Sequence, residues 1–272
     1  MLGSSDDHVE ADERAQLLES LLQPLLRTLQ QHVAGVAGLE EQQRRSAVWD
    51  LQQVRDDMTL QAAEVAHVMA VTAVLSKGFD QLSKAAPPVR DAFLAALQLS
   101  LGALLPFGAV ADVRAKALML LHRMVEAFSD QTILTFLEPV MPQLLGSAEP
   151  KEVTEIIALV VQLVAKFRLA VRGALSPLVT PLIGAVLAHL ATLEKALAEQ
   201  STPAPGVLGP VSEGGRERRA LLRAYFSFLH ALVQNSLTSV LCEAANLPLL
   251  KPSLERVVQG SVEGPDLTLQ RQ

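Results

Sequence analysis

Residues 137–187 read LEPVMPQLLGSAEPKEVTEIIALVVQLVAKFRLAVRGALSPLVTPLIGAVL, and the fold is decided by how this stretch is read. Two short motifs stand in it, Leu137-Glu138-Pro139-Val140 and Leu175-Ser176-Pro177-Leu178, each leading an apolar run, with their prolines 38 residues apart. Proline has a fixed φ and no N–H, so it suits the first turn of a helix, where the donor would go unused. A third copy, Leu22-Gln23-Pro24-Leu25, precedes Pro139 by 115 positions, close to three such steps. A period of about 40 residues is the spacing of stacked helical hairpins. The alternative is that these prolines fall by chance in a generic helical bundle.

Working outward, apolar residues recur at helical rather than alternating spacing, as at Leu60, Ala63, Val65, Val68, Val71 and Leu75. The acidic start, residues 4–13, precedes an amphipathic run over 15–33 that Gly35 and Gly38 are expected to end. A second helical region extends over 39–75, with a possible interruption near Asp56 and Asp57. Turn signals at Lys77-Gly78 and Pro87-Pro88 follow, and then helices over 89–105, 111–128, 130–145, 151–168, 175–199, 216–234, 237–245 and 251–260. Their short connections make neighbours antiparallel. Pairing them as outer and inner helices gives about five hairpins, so the expected fold is all-α, an α-solenoid of HEAT-like antiparallel helical hairpins. Asp112-Val113-Arg114 at the start of an inner helix suits that unit. Residues 1–12 read as a frayed N-terminus, 13–262 as the solenoid with a Pro/Gly/Ser-rich flexible loop at 201–215, and 263–272 as a tail.

Composition agrees with helix-on-helix packing. Half of the 272 residues are hydrophobic, dominated by Ala, Leu and Val, with only one Trp and one Tyr. Cys242 is the single cysteine and has no partner for an internal disulfide, and no signal-peptide pattern opens the chain, which together point to an intracellular setting. Two uncharged windows, residues 92–111 and 174–193, are long enough to span a bilayer, but Gly102, Pro106, Gly108, Pro177, Pro181 and Gly184 interrupt them. They read as buried helices, with no membrane insertion.

No catalytic constellation is legible. The six histidines are scattered, Cys242 has no second sulfur with which to share a metal, and neither a glycine-rich phosphate loop nor a nucleophile elbow is present. No cofactor, metal site or enzymatic activity is therefore expected. The cations are more informative. Arg216, Arg219 and Arg223 fall at i, i+3 and i+7 along one polar face of a helix whose apolar stripe contains Leu222, Tyr225, Phe226 and Leu229. Lys166, Arg168 and Arg172 cluster at the end of the preceding inner helix, and Arg114, Lys116 and Arg123 form a third group. Taken singly, each is most simply a solvated surface charge. Taken together, they could be projected by successive inner helices as phosphate contacts. With a formal net charge of −6, such contacts would have to be local.

Several segments occur here in an order that resembles the C-terminal half of the exportin-T family. They are Leu121-His122-Arg123-Met124, Ala165-Lys166-Phe167-Arg168 followed by the Pro-led helix 178–187, the stretch 219–229 (RALLRAYFSFL), and 257–266 (VVQGSVEGPD). The resemblance is poorest over 34–72 and 201–215. It implies an importin-β superfamily solenoid that binds mature tRNA together with Ran-GTP, engages nuclear pore proteins, and shuttles between nucleus and cytoplasm. In that family the Ran-binding arch is largely N-terminal and nothing in this chain resembles it, so the chain is expected to be a piece of the C-terminal arch. The competing expectation is a HEAT-type protein-binding scaffold with no RNA role.

Overall fold

A computed structural model describes residues 4–45, 51–79, 87–128, 130–200 and 212–263. Its helices are α1 (Ser4–Arg45), α2 (Leu51–Leu75), α3 (Pro87–Gly102), α4 (Leu104–Phe107), α5 (Ala111–Ala127), α6 (Leu137–Gly146), α7 (Pro150–Phe167), α8 (Arg172–Gln200), α9 (Glu213–Gln234) and α10 (Leu247–Glu263). Among the described residues there is no strand, and the protein is all-α. The chain divides into two compact units, one through Phe136 and one from Leu137.

In the first unit α1 and α2 form a hairpin in which Gly35 faces the Gln61 side chain. The next pair stacks onto it, α3 along α1 and α5 against α2. The buried residues show why. Leu18, Leu22, Leu26 and Leu29 recur every three or four positions on α1, and Val65, Met69 and Ala73 do so on α2. Phe93 and Leu97 of α3 and Ala117, Leu121 and Met124 of α5 complete the core. No single pair could cover its own apolar stripe.

The second unit repeats the scheme. α6 and α10 pack on α8, while α9 packs on α7, giving one row of α6, α8 and α10 and another of α7 and α9. α7 opens with Pro150 behind a capping box, in which the Glu149 N–H donates to the Glu152 carboxylate at 2.8 Å. Direction follows from the contacts between helices. Glu194 near the end of α8 binds Arg218 near the start of α9, whereas Thr180 near the start of α8 meets Asn246 beyond the end of α9. α8 and α9 are therefore antiparallel. Thr180 with Asn246 and Glu194 with Arg256 also make α10 parallel to α8. Within each unit these are the stacked helical pairs expected from the proline spacing.

Four sequence expectations are corrected. Gly35 does not end α1, which continues to Arg45, so Gly38 lies inside it as well, because a helical glycine costs about 1 kcal/mol without breaking the helix. Pro24 lies in the interior of α1 and Pro177 inside α8, which already begins at Arg172, so of the three motif prolines Pro139 alone sits in an opening turn, that of α6. Residues 237–245 are a 3₁₀ turn at Thr238–Val240 followed by irregular turns, held by Asn246, whose side-chain amide donates to the Val240 carbonyl at 2.8 Å. α2 passes through Asp56 and Asp57 without interruption. Most of the expected loop at 201–215 and nearly all of the expected tail lie outside the described residues, although Glu213 and the residues after it belong to α9.

Among the described residues, three stretches could cross a membrane by length and composition: Arg55–Gly78, Pro87–Phe107 and Pro150–Glu199. Their apolar stripes, such as Phe93 and Leu97 in the second and Ile156, Val160, Leu182 and Val186 in the third, are occupied by packing against neighbouring helices.

Candidate nucleic-acid interface

The α9 row is formed as its spacing requires. Leu221, Leu222, Tyr225, Phe226, Phe228 and Leu232 are buried on one side, so at about 100° per residue Arg216 and Arg223 fall on the opposite side, with Arg219 at its edge beside Phe226. Arg216 and Arg223 are exposed and Arg219 is half-buried. Among the described residues no carboxylate meets the guanidinium of Arg216 or Arg219, although Glu213 and Glu217 stand on the same turns.

Arg218 behaves differently. It lies about 200° round from Arg216, on the side of α9 that faces α8. There its Nε donates to Glu194 at 3.0 Å, and Arg256 of α10 reaches the same carboxylate with Nη1 at 2.7 Å and Nη2 at 3.1 Å. Burial pushes the Glu194 carboxyl up, but the hydrogen bonds and charges of Arg256 and Arg218 outweigh it and hold the group below the usual range. Sequence reading does not find this cluster. The available signal is a charged side chain on the apolar side of a helix, which needs a partner.

Lys166, Arg168 and Arg172 come together where α7 turns into α8 through the 3₁₀ segment Arg168–Val171. The Lys166 ammonium lies 5.8 Å from the centre of the Phe167 ring. Arg168 is exposed with φ 50° and ψ −127°, a conformation uncommon outside glycine. Arg172 reaches Glu243 at 3.3 Å but keeps 55% of its side chain exposed. A hydrogen bond from Ser176, together with Arg172, holds the Glu243 carboxyl below its ordinary range.

This cluster and the α9 row lie at opposite ends of the unit. Arg172 starts α8 and Glu194 comes 22 residues later beside Arg218, which at 1.5 Å per residue is about 33 Å. Only an extended ligand would touch both.

The third group divides. Lys116 and Arg123 share a face of α5 in the first unit, and each meets an acid of its own helix, Asp112 at 3.9 Å and Glu126 respectively. Arg114 points the other way. It is only 3% exposed, and its Nη1 donates to the Gly108 carbonyl at 2.8 Å, closing the turn between α4 and α5. Burial removes Arg114 from the surface set. Among the described residues no group of His, Cys, Asp or Glu side chains could hold a metal ion.

A family model described as Exportin-T matches residues 2–272. Exportin-T of Arabidopsis thaliana is 26% identical over 267 residues, covering 97% of this chain and 25% of that protein. Exportin-T of Oryza sativa subsp. japonica is 27% identical over 257 residues, covering 93% and 23%. Exportin-T of Homo sapiens is 28% identical over 157 residues, covering 56% and 14%. The chain thus spans about a quarter of the length of the plant relatives. With the family match running through nearly every residue, the chain belongs to the exportin-T family.

Proposed function

We propose that this chain is the RNA-gripping part of a nuclear export receptor for tRNA, holding phosphates with Arg216, Arg219 and Arg223 and, at the other end of the same unit, with Lys166, Arg168 and Arg172. The observation that carries this reading is the arginine row on α9, with Arg216 and Arg223 opposite its buried stripe and Arg219 at the edge. Family membership supports it, and so does the absence of a charge partner for Arg216 and Arg219 among the described residues. Lys116 and Arg123 of the first unit are further candidates, each with an acid beside it, as Arg172 has in Glu243. Recognition rests on duplex shape and backbone rather than on base identity, as expected for folded RNA.

In the full receptor, cargo binding is coupled to Ran-GTP mainly through a part of the family not represented in this chain. Nuclear pore proteins are its further partners, and it shuttles between nucleus and cytoplasm. It acts as a receptor rather than an enzyme, with no cofactor and no membrane insertion. Filter binding with purified chain tests the RNA role. Arg219→Ala and Arg223→Ala together are expected to weaken tRNA binding about tenfold at low salt. An unchanged affinity would rule out the α9 contact.

The exposed Leu247, Leu254 and Val258 along α10 favour a second reading, a scaffold that docks protein partners. Capture of partners that survives ribonuclease treatment, combined with no affinity for purified tRNA, would select it.

A further inference from the structure

We infer that Glu194 is a positioning residue for the arginine row, holding the first turns of α9 in the register that presents Arg216, Arg219 and Arg223 together. This rests on the reading of that row as an RNA contact and adds the device that fixes it.

The start of α9 is weak by itself. Its first residues are Glu213, Gly214 and Gly215, and glycine is the poorest helix former after proline. Local support is one N-cap hydrogen bond, with the Ser212 hydroxyl accepting from the Gly215 N–H at 3.2 Å. Gly214 rests near Leu197 of α8, where an added Cβ would stand 3.9 Å from that side chain. The first strong tether along α9 is Arg218, bound to Glu194 at 2.9 and 3.0 Å, one position before Arg219 and two after Arg216. Arg256 holds the same carboxylate in a two-pronged grip and donates to Gln259 at 3.3 Å, so Glu194 is itself anchored to α10. The carboxylate is 30% exposed, Arg218 24% and Arg256 14%. In such a partly desolvated site, loss of the charge would leave two guanidinium groups facing each other, and α9 would be pushed off α8 at the turn that carries the row.

Charge and position give opposite signs, which makes the idea testable. Replacing an acid beside an arginine row raises the local positive potential, so by charge alone Glu194→Gln should tighten RNA binding. If Glu194 acts by position, the same variant should weaken tRNA binding about three- to tenfold despite its added positive charge, with the salt slope shallower by about 1, as when a single cation no longer reaches its phosphate. Glu194→Asp, which keeps the charge on a shorter stem, should recover part of the affinity. Hydrogen exchange on the chain without RNA supplies a second readout: amides over 215–220 should exchange faster in Glu194→Gln than in the parent, while those of α7 do not change. Tighter or unchanged tRNA binding by Glu194→Gln in a parent that binds tRNA would overturn the positioning role and leave the α9 contact intact. A parent chain without tRNA affinity would instead overturn the RNA reading, and the positioning role with it. Unchanged exchange over 215–220 would overturn the tether whatever the RNA result.

Discussion

Arg168 carries a backbone conformation that an arginine adopts only at a cost. With φ 50° and ψ −127° at the end of α7, the position suits glycine, and a side chain held there stores about 1–3 kcal/mol. Arg168→Gly should raise the unfolding free energy by about 1 kcal/mol in urea titration, once the extra freedom glycine gives the unfolded chain is subtracted, while weakening tRNA binding. A loss of stability would mean that the arginine side chain supports the turn. Asp130 is a second residue whose setting shapes its energetics. Burial raises its proton affinity, but hydrogen bonds from Thr132 and the nearby Arg90, whose Nη2 donates at 2.8 Å, outweigh burial and hold the carboxyl below its ordinary range. The folded chain therefore binds that proton more weakly than the unfolded chain. The stabilisation is complete above the unfolded pKa of about 4 and is lost as pH falls through the lower folded value. Asp130→Asn should unfold at lower urea near neutrality and show a flatter acid limb than the parent, and parallel pH profiles would refute the assignment. Sequence could place Arg168 in a basic cluster. It could not show the positive φ, nor pair Arg90 with Asp130 from 40 residues away, because both depend on how helices meet.

Among the elements, the helices are legible wherever apolar residues recur with period 3.6 and a proline or capping group marks the start, as in α3, α7 and α9. The failures have local causes. Glycine weakens a helix without ending it when the neighbouring turns pack, which is why α1 runs past Gly35. At 237–245, the Asn246 side-chain amide bonds the Val240 carbonyl instead, and a turn replaces the expected helix. Two glycines in different settings predict opposite outcomes. Gly184 lies inside α8, where an added Cβ meets nothing within 4 Å, so Gly184→Ala should stabilise by about 0.5–1 kcal/mol. At Gly108 a Cβ would stand 2.4 Å from the Leu104 carbonyl oxygen, in the turn that Arg114 closes, so Gly108→Ala should destabilise by about 2 kcal/mol. Thermal or urea unfolding of the two variants checks both signs, and a stabilised Gly108→Ala would show that the turn can relax. Arg114 also shows the limit of reading charge from sequence. Proximity groups it with Lys116 and Arg123, but a two-residue step on a helix turns it well away from them and into the core.

At the scale of the molecule, two compact units hold stacked helical pairs, and the chain spans about a quarter of its plant relatives. The proline spacing and the ordered matches to the exportin-T family are both visible in the sequence. The separation of the two basic clusters of the second unit, about 33 Å along α8, is not, because it depends on the direction of each helix. The net charge of −6 means that phosphate affinity has to come from a local concentration of cations, and the α9 row is the best-placed one. The most direct test is the salt dependence of tRNA binding by the parent and by a chain carrying Arg216→Ala, Arg219→Ala and Arg223→Ala. The slope of log affinity against log salt should become shallower by about 2–3 in the triple variant, one phosphate for each arginine. A triple variant that follows the parent at every salt concentration would contradict the account.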